Sequence, residues 1–338
     1  EPDEKSVVRA IEDIEKNLTI FDAKDRTYLA ELKRSSDNDQ LLADAIAESK
    51  AKVVLGYFFQ MEKLHSGDFD EALSKIQQKN IQSSRYGQVK FQSEKALDIP
   101  LIEAQVANAN ITAISQATPY SGFFNMFPDK DGVVRWIPAV IDFAGEMYAP
   151  LSLMTLSAFK DSQPLVVVAE YGVEKIQFDD ITIPTDELGR IMINYRGDAK
   201  SFKHIPVTDI LSGKVTESEL KGKAVIVGAT AIGIYDMRVT PFTSVFPGVE
   251  IHANIVDSVL RGEFLYHPTW AAVFDVLAIV LAGLLLGMVL PRTGAFLGII
   301  TVGVLFFGHI FFCQYLFSSQ GWILNMVYPL LVILAHHI

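Results

Sequence analysis

Residues 270–290 read WAAVFDVLAIVLAGLLLGMVL. This run holds one formal charge, Asp275. An α-helix needs about 20 apolar residues to cross a bilayer. The stretch therefore predicts a membrane span and divides the chain near Trp270. A second apolar run covers residues 295–317 with no charge, and a third covers 323–338. Three spans are expected, at about 270–290, 295–317 and 323–338. Short connections join them at Pro291–Gly294 and Ser318–Gly321. Tyr266, Trp270 and Trp322 sit at their edges, where amphipathic aromatic rings favour the membrane interface.

From Ala271 to Ile338 only Asp275 and Arg292 are formally charged; all other charges lie in the first 270 residues. Such a split excludes a wholly cytosolic globular enzyme and a transporter built only of helices. The competing reading of the tail is a three-helix core buried in a soluble protein. Orientation rests on Arg292, whose loop is placed inside by the excess of basic residues on cytoplasmic loops. The Ser318 loop and the soluble part, residues 1–265, then lie outside. Gly283, Gly287, Gly294, Gly298 and Gly303 put small residues at spacings that suit close helix contact. Asp275 and His309 are the polar residues of the spans. Asp275 is near enough to the boundary to reach headgroups, and His309 is expected to bond within the bundle.

The net charge is −11, and no basic cluster could track a phosphate backbone, which argues against nucleic acid as a partner. The one cysteine, Cys313, lies in the apolar tail, so the soluble part cannot rely on disulfides. Glu1–Ser6 is charged and no signal peptide follows. An outward-facing domain would need an export signal upstream of Glu1, so the chain reads as a fragment lacking its N-terminus.

Apolar residues at helical spacing predict one or two amphipathic helices up to Arg34 and another over Gln40–Lys50. Ala51–Phe59 reads as a buried strand. Ser66–Asp98 is polar and reads as an excursion with a short helix near Phe69–Gln78. Pro100–Asn108 reads as helical and Ile111–Ile114 as a strand. Gly122–Phe127 and Val133–Phe143 flank Pro128–Gly132 as in a hairpin. Pro150 opens a helix to Lys160. Val173–Tyr195 contains three strand-like pieces with turns at Asp179–Asp180 and Asp186–Gly189. Val207–Leu211 and Gly248–Leu260 read as helices and Ala224–Val227 as a strand. The expected fold is α/β, a mixed sheet covered by helices with an antiparallel meander, followed by a three-helix transmembrane bundle.

No catalytic set stands out. Gly228–Gly233 follows a strand-like run but lacks the spacing of a dinucleotide or phosphate loop. Glu250 and His252 are two apart on one helix and do not share a face, which argues against a metal pair. No G-x-S-x-G is present. Asp179–Asp180 and Asp186–Glu187 sit in turns, where Asp is favoured for backbone reasons. No cofactor is expected.

Several segments in order resemble the type-two CHASE domain, the cyclase/histidine-kinase-associated sensory extracellular domain of bacterial receptors. They are Gly122-Phe-Phe-Asn125, Asp129-Lys-Asp131-Gly132-Val-Val-Arg135 and Gly145-Glu-Met-Tyr148-Ala-Pro-Leu151. Gly189-Arg-Ile-Met-Ile-Asn194-Tyr195-Arg196-Gly197 follows. The most specific are Leu220-Lys-Gly222-Lys-Ala-Val-Ile-Val-Gly228-Ala-Thr-Ala and Pro247-Gly248-Val-Glu250-Ile-His252-Ala-Asn254. The resemblance implies a dimeric receptor in a bacterial cytoplasmic membrane with its sensor facing outward. It also implies that a first membrane helix and first strands precede Glu1-Pro2-Asp3. The implied output is a cytoplasmic adenylate or guanylate cyclase, with a histidine kinase or Ser/Thr kinase as alternatives. A membrane-anchored binding or assembly module is the competing class.

Loops at the carboxyl ends of strands form pockets in α/β sheets. The candidate ligand site is therefore Thr230, Tyr235, Asp236 and Arg238 with Arg196, Glu250 and His252, open to an extracytoplasmic ligand or protein. Asn125, Asp131 and Arg135 are expected to shape their hairpin. The joint between Gly262, where a helix ends, and Pro268, where one restarts, is the expected coupling element.

Overall fold

A computed structural model describes residues 7–17, 23–62, 71–97, 99–230 and 236–335. The readings of Glu1–Ser6 and Tyr235 fall outside the described residues. Two compact units are present. One comprises Glu1–Ile191 with Tyr195–Asp257; the other comprises Met192–Asn194 with Ser258–Ile338.

The first unit opens on α1 (Val7–Asn17), α2 (Ala23–Ser36) and α3 (Asn38–Glu48). Lys33 of α2 pairs with Glu12 of α1 at 2.7 Å on an exposed face. Asp37 caps α3 by accepting the Gln40 amide at 3.0 Å. β1 (Leu55–Gln60) follows, and its alternation decides the core: Tyr57 and Phe59 are buried, Phe58 and Gln60 exposed. Phe59 stands among Phe123, Phe143 and Tyr148, with ring centroids 5.7, 5.4 and 5.7 Å away.

α4 (Glu71–Asn80) leads to β2 (Gln88–Phe91). β2 joins a four-stranded sheet, so the polar region is not an excursion. Its anchors are apolar or hydroxylic: Ile81 and Ser84 are buried, and Tyr86 donates to the Ala139 carbonyl at 2.7 Å. Residues 100–108 are not helical. They end in β3 (Val106–Asn108), antiparallel to β1, because the open edge of β1 offers backbone partners that outweigh local helix propensity. The expected strand at Ile111–Ile114 is instead part of α5 (Thr112–Gln116). Four residues are too few for alternation to discriminate.

β4 (Ser121–Phe123) pairs in parallel with β1, giving the order β3-β1-β4. It therefore does not form the expected hairpin with Val133–Phe143. Asn125 replaces a strand neighbour instead: its side chain accepts the Phe59 amide and donates to the Phe59 carbonyl, both at 2.7 Å. β5 (Trp136–Pro138) precedes the true hairpin, β6 (Ile141–Phe143) and β7 (Glu146–Tyr148). Its two-residue turn, Ala144–Gly145, has positive φ at both positions, as the right-handed strand twist favours. Asp129 and Asp131 hold Arg135 at 2.9 and 2.8 Å, and this pairing keeps the Asp131 carboxyl down at about 2.

α6 (Leu151–Lys160) starts after Pro150, and Asp161 closes it in the left-handed region. β8 (Leu165–Ala169), β9 (Gly172–Phe178) and β10 (Ile181–Pro184) complete the sheet β10-β9-β8-β2, in which β2 is parallel to β8. β11 (Arg190–Met192) leaves this sheet and pairs with β5. The three strand-like pieces of Val173–Tyr195 therefore do not form one antiparallel run. Arg190 shows why: it pairs with Asp186 at 2.7 Å and lies over the Trp136 ring at 5.1 Å.

α7 (Val207–Leu211) and α8 (Glu217–Leu220) precede residues 224–230, which have no regular structure. Val225 and Val227 are exposed, and among the described residues no strand pairs with this segment, so the expected strand is not formed. β12 (Met237–Arg238) and β13 (Phe246–Pro247) form a small ribbon into α9 (Gly248–Arg261).

The second unit contains α10 (Ala271–Val289), α11 (Ala295–Gln320) and α12 (Val327–Ala335). Among the described residues two helical stretches, Ala271–Arg292 and Ala295–Gln320, are long and apolar enough to cross a membrane. Only 6% and 17% of their apolar windows are buried, which does not suit the core of a soluble protein. The third expected span is corrected. Among the described residues α12 has nine, about 14 Å of helix, so two candidate spans are found there rather than three. The chain from Trp322 is extended because Trp322 and Ile323 pair with Tyr266, and Asn325 restarts the helix by accepting the Val327 amide at 3.2 Å. Leu286, Val302 and Ile333 pack together from the three helices. Arg292 donates to the Met288 carbonyl at 2.5 Å at the close of α10. His309 finds its partner within the bundle, the Cys313 sulfur at 3.6 Å.

Candidate functional site

In the first unit, three residues of α9 spaced four and three apart, Glu250, Asn254 and Asp257, lie on one stripe of the helix. All three hold the loop that follows Tyr195. Glu250 is 2% exposed. Its carboxylate accepts the Lys200 amide at 2.9 Å and the Phe202 amide at 3.3 Å, with His204 Nε2 3.3 Å away. Asn254 accepts the Arg196 amide and donates to the Glu250 carbonyl, both at 2.8 Å. Asp257 accepts from Arg196 Nε. Such bonds offset the cost of burying the Glu250 carboxylate and the Asn254 amide.

His252 lies between these positions, on another side of the helix, and is 2% exposed. Neither ring nitrogen reaches a well-aligned partner. Burial holds its pKa down at about 4, offset only in part by the Phe124 backbone. The imidazole is therefore neutral near pH 7. Glu250 and His252 thus face different surroundings.

Asp236 sits at the start of α9. Its carbonyl accepts the Gly248 amide at 2.8 Å and its carboxylate accepts from Val249. A Cβ at residue 248 would collide with that carboxylate, so the approach requires glycine. Burial raises the Asp236 pKa, and Arg238, 3.6 Å away, acts against this. Arg238 Nε is buried without a hydrogen-bond partner. Thr230 is exposed.

The expected ligand residues therefore fall into separate groups. Arg196 and Glu250 meet through the loop, Asp236 and Arg238 pair at the helix start, and His252 stands apart. Asn254, Asp257 and His204 complete the arrangement and were not singled out from sequence. The spacing 250, 254, 257 was the available signal. A groove of about 530 Å³ lies elsewhere, in the second unit, lined by Leu281, Leu285, Val304, His309 and Phe312 among others.

The joint after α9 belongs to the second unit. Gly262 has φ +68°, its amide bonds the Val259 carbonyl at 3.2 Å, and the Glu263 amide bonds the Ser258 carbonyl at 3.0 Å. These two bonds close the helix in the Schellman manner. The Pro268 carbonyl accepts the Ala271 amide at 2.9 Å as α10 begins.

The sequence model of the CHASE2 domain matches residues 8–289. The chain belongs to the CHASE2 domain family. The match spans both the Glu250 site and α10. No curated protein and no solved structure matches the chain. This CHASE2 chain carries an extracellular sensor domain followed by helices that suit membrane anchoring.

Proposed function

We propose that this CHASE2 protein is the sensory and transmembrane portion of a homodimeric bacterial receptor, set in the cytoplasmic membrane, that regulates a cytoplasmic adenylate or guanylate cyclase. The observation that carries this reading is α9. One face of the helix grips the 196–202 loop through Glu250, Asn254 and Asp257, and its chain runs within ten residues into an apolar helix long enough to cross a membrane. A change in that loop alters the bonds along α9. The proposed input region is the Arg196 end of that loop together with the Asp236–Arg238 pair and their sequence neighbours Thr230 and Tyr235, which offers both charges to an extracytoplasmic ligand or protein, while Glu250 and His252 stay buried.

The test is expression of the full-length protein in a bacterial host stripped of its own cyclases. Cyclic nucleotide should accumulate in cells bearing it. Phosphotransfer from ATP in its place would move the assignment to a histidine or Ser/Thr kinase output. Neither activity would overturn the receptor reading in favour of an anchored binding module.

A further inference from the structure

The joint between α9 and α10 is bonded along both of its edges, and all of these bonds lie inside the second unit. On one edge, Leu265 bridges Met192 in antiparallel fashion and Asn194 Nδ2 donates to the Glu263 carbonyl at 3.3 Å. On the other edge, Tyr266 bridges Trp322 in parallel. The Tyr266 amide donates to the Gly321 carbonyl at 3.1 Å, and the Ile323 amide donates to the Tyr266 carbonyl at 3.0 Å. His267 Nδ1 lies 3.1 Å from the Ile323 carbonyl. Side chains repeat the link: Trp322 Nε1 donates to the Tyr266 hydroxyl at 2.9 Å. The Trp270 and Trp322 rings meet edge to face at 5.1 Å.

Gly321 makes this closeness possible. Its φ is +70°, its amide still bonds Phe317 at the end of α11 at 3.0 Å, and a Cβ there would collide with the Phe264 carbonyl oxygen. The loop after α11 is thus fixed to its helix at one end and to the joint along its length.

We infer that residues 192–194, 263–267 and 321–323 form a three-stranded yoke. Displacement of the joint is delivered through it to the end of α11 and the start of α12 as well as to α10. A joint acting on α10 alone would need slack on its far edge, and that edge carries two backbone bonds, an indole–phenol bond and a ring contact. Opening the joint on one side means giving up several hydrogen bonds at once, so the strands move as one. The signalling consequence rests on the receptor reading above; the mechanical statement does not.

The test uses the full-length protein in lipid nanodiscs, followed by amide hydrogen exchange. In the native protein the peptides covering 263–267 and 321–324 should be protected. Gly321→Ala should speed exchange in both by tenfold or more, with α10 and α11 unchanged. Trp322→Phe, which removes one bond without a clash, should speed both by a smaller factor and keeps the test usable should Gly321→Ala not fold. Faster exchange confined to 321–324 overturns the yoke. The output rate, cyclic nucleotide or phosphotransfer, should shift severalfold in the variants. Opening of the yoke with an unchanged output rate overturns its role in transmission. A native protein with no output at all overturns the receptor reading instead, while the exchange result still decides the yoke.

Discussion

The backbone amide of Arg196 donates to Oδ1 of Asn254 over 2.8 Å, while Nδ2 of the same side chain donates to the Glu250 carbonyl. One buried amide thereby ties a loop to a helix and satisfies a helix carbonyl. Asn254→Ala leaves the Arg196 amide without its acceptor. The expected cost is about 1–3 kcal/mol. Pulse proteolysis of the detergent-solubilised protein across a urea series would read it as a lowered midpoint. An unchanged midpoint would mean that water or another acceptor replaces Asn254 at no cost.

His252 sets a pH dependence. Its folded pKa is held down near 4 by burial, against 6.5 for the free side chain. Above pH 6.5 both folded and unfolded states hold it neutral, and the fold is not penalised. Between pH 6.5 and 4 the unfolded chain takes up a proton that the folded chain refuses, so stability falls as the pH falls. The loss at pH 4 is on the order of 3 kcal/mol. Asp236 and Asp142, whose carboxyls are raised by burial, act in the opposite sense over the acidic range. The comparison is therefore with His252→Leu in the same urea series at pH 7 and pH 4. The native protein should lose more stability than the variant between the two; equal losses would remove His252 as the cause.

The elements legible from sequence are those whose signals are local. Pro150 marks the start of α6, Gly248 the start of α9, and Val207–Leu211 is a helix as expected. Elements defined by a distant partner were not legible. β3 is a strand because β1 accepts it, with Phe58 opposite Asn108. Ala224–Val227 has the composition of a strand but pairs with none among the described residues. The same division holds at the site. Glu250, Arg196 and His252 were legible as ionisable groups placed near an expected strand-end loop, but the Asn254 link depends on where the 196–202 loop returns. Tyr266 and Trp322 were legible as interfacial aromatics, while the bond between them requires the loop conformation that Gly321 permits.

Phe59 carries the aromatic core of the first unit, with ring contacts to Tyr57, Phe123, Phe143 and Tyr148. Phe59→Ala removes four ring contacts and leaves a cavity at a 2% exposed position. The expected loss is about 3–5 kcal/mol. Phe58→Ala, one residue away and 45% exposed, should cost far less, within about 1 kcal/mol. Similar losses at the two positions would contradict the alternation of β1.

The membrane arrangement gives a prediction in intact cells. α10 and α11 are joined by residues 290–294, so if both helices cross the bilayer, as their length and apolar composition allow, the ends at Trp270 and Gln320 lie on one side and Thr293 on the other. In the proposed orientation, which rests on Arg292, Thr293 is on the cytoplasmic side. Cys313→Ser removes the one thiol of residues 1–338, which is buried against Ala271 and Leu324, and any further cysteine of the expressed protein is replaced with it. In that background Ser319→Cys should react with a membrane-impermeant maleimide added outside, once any outer barrier is permeabilised. Thr293→Cys should react only after the cytoplasmic membrane is opened. The reverse pattern would place the CHASE2 domain in the cytoplasm. Labelling of both from outside would show that the two helices do not cross.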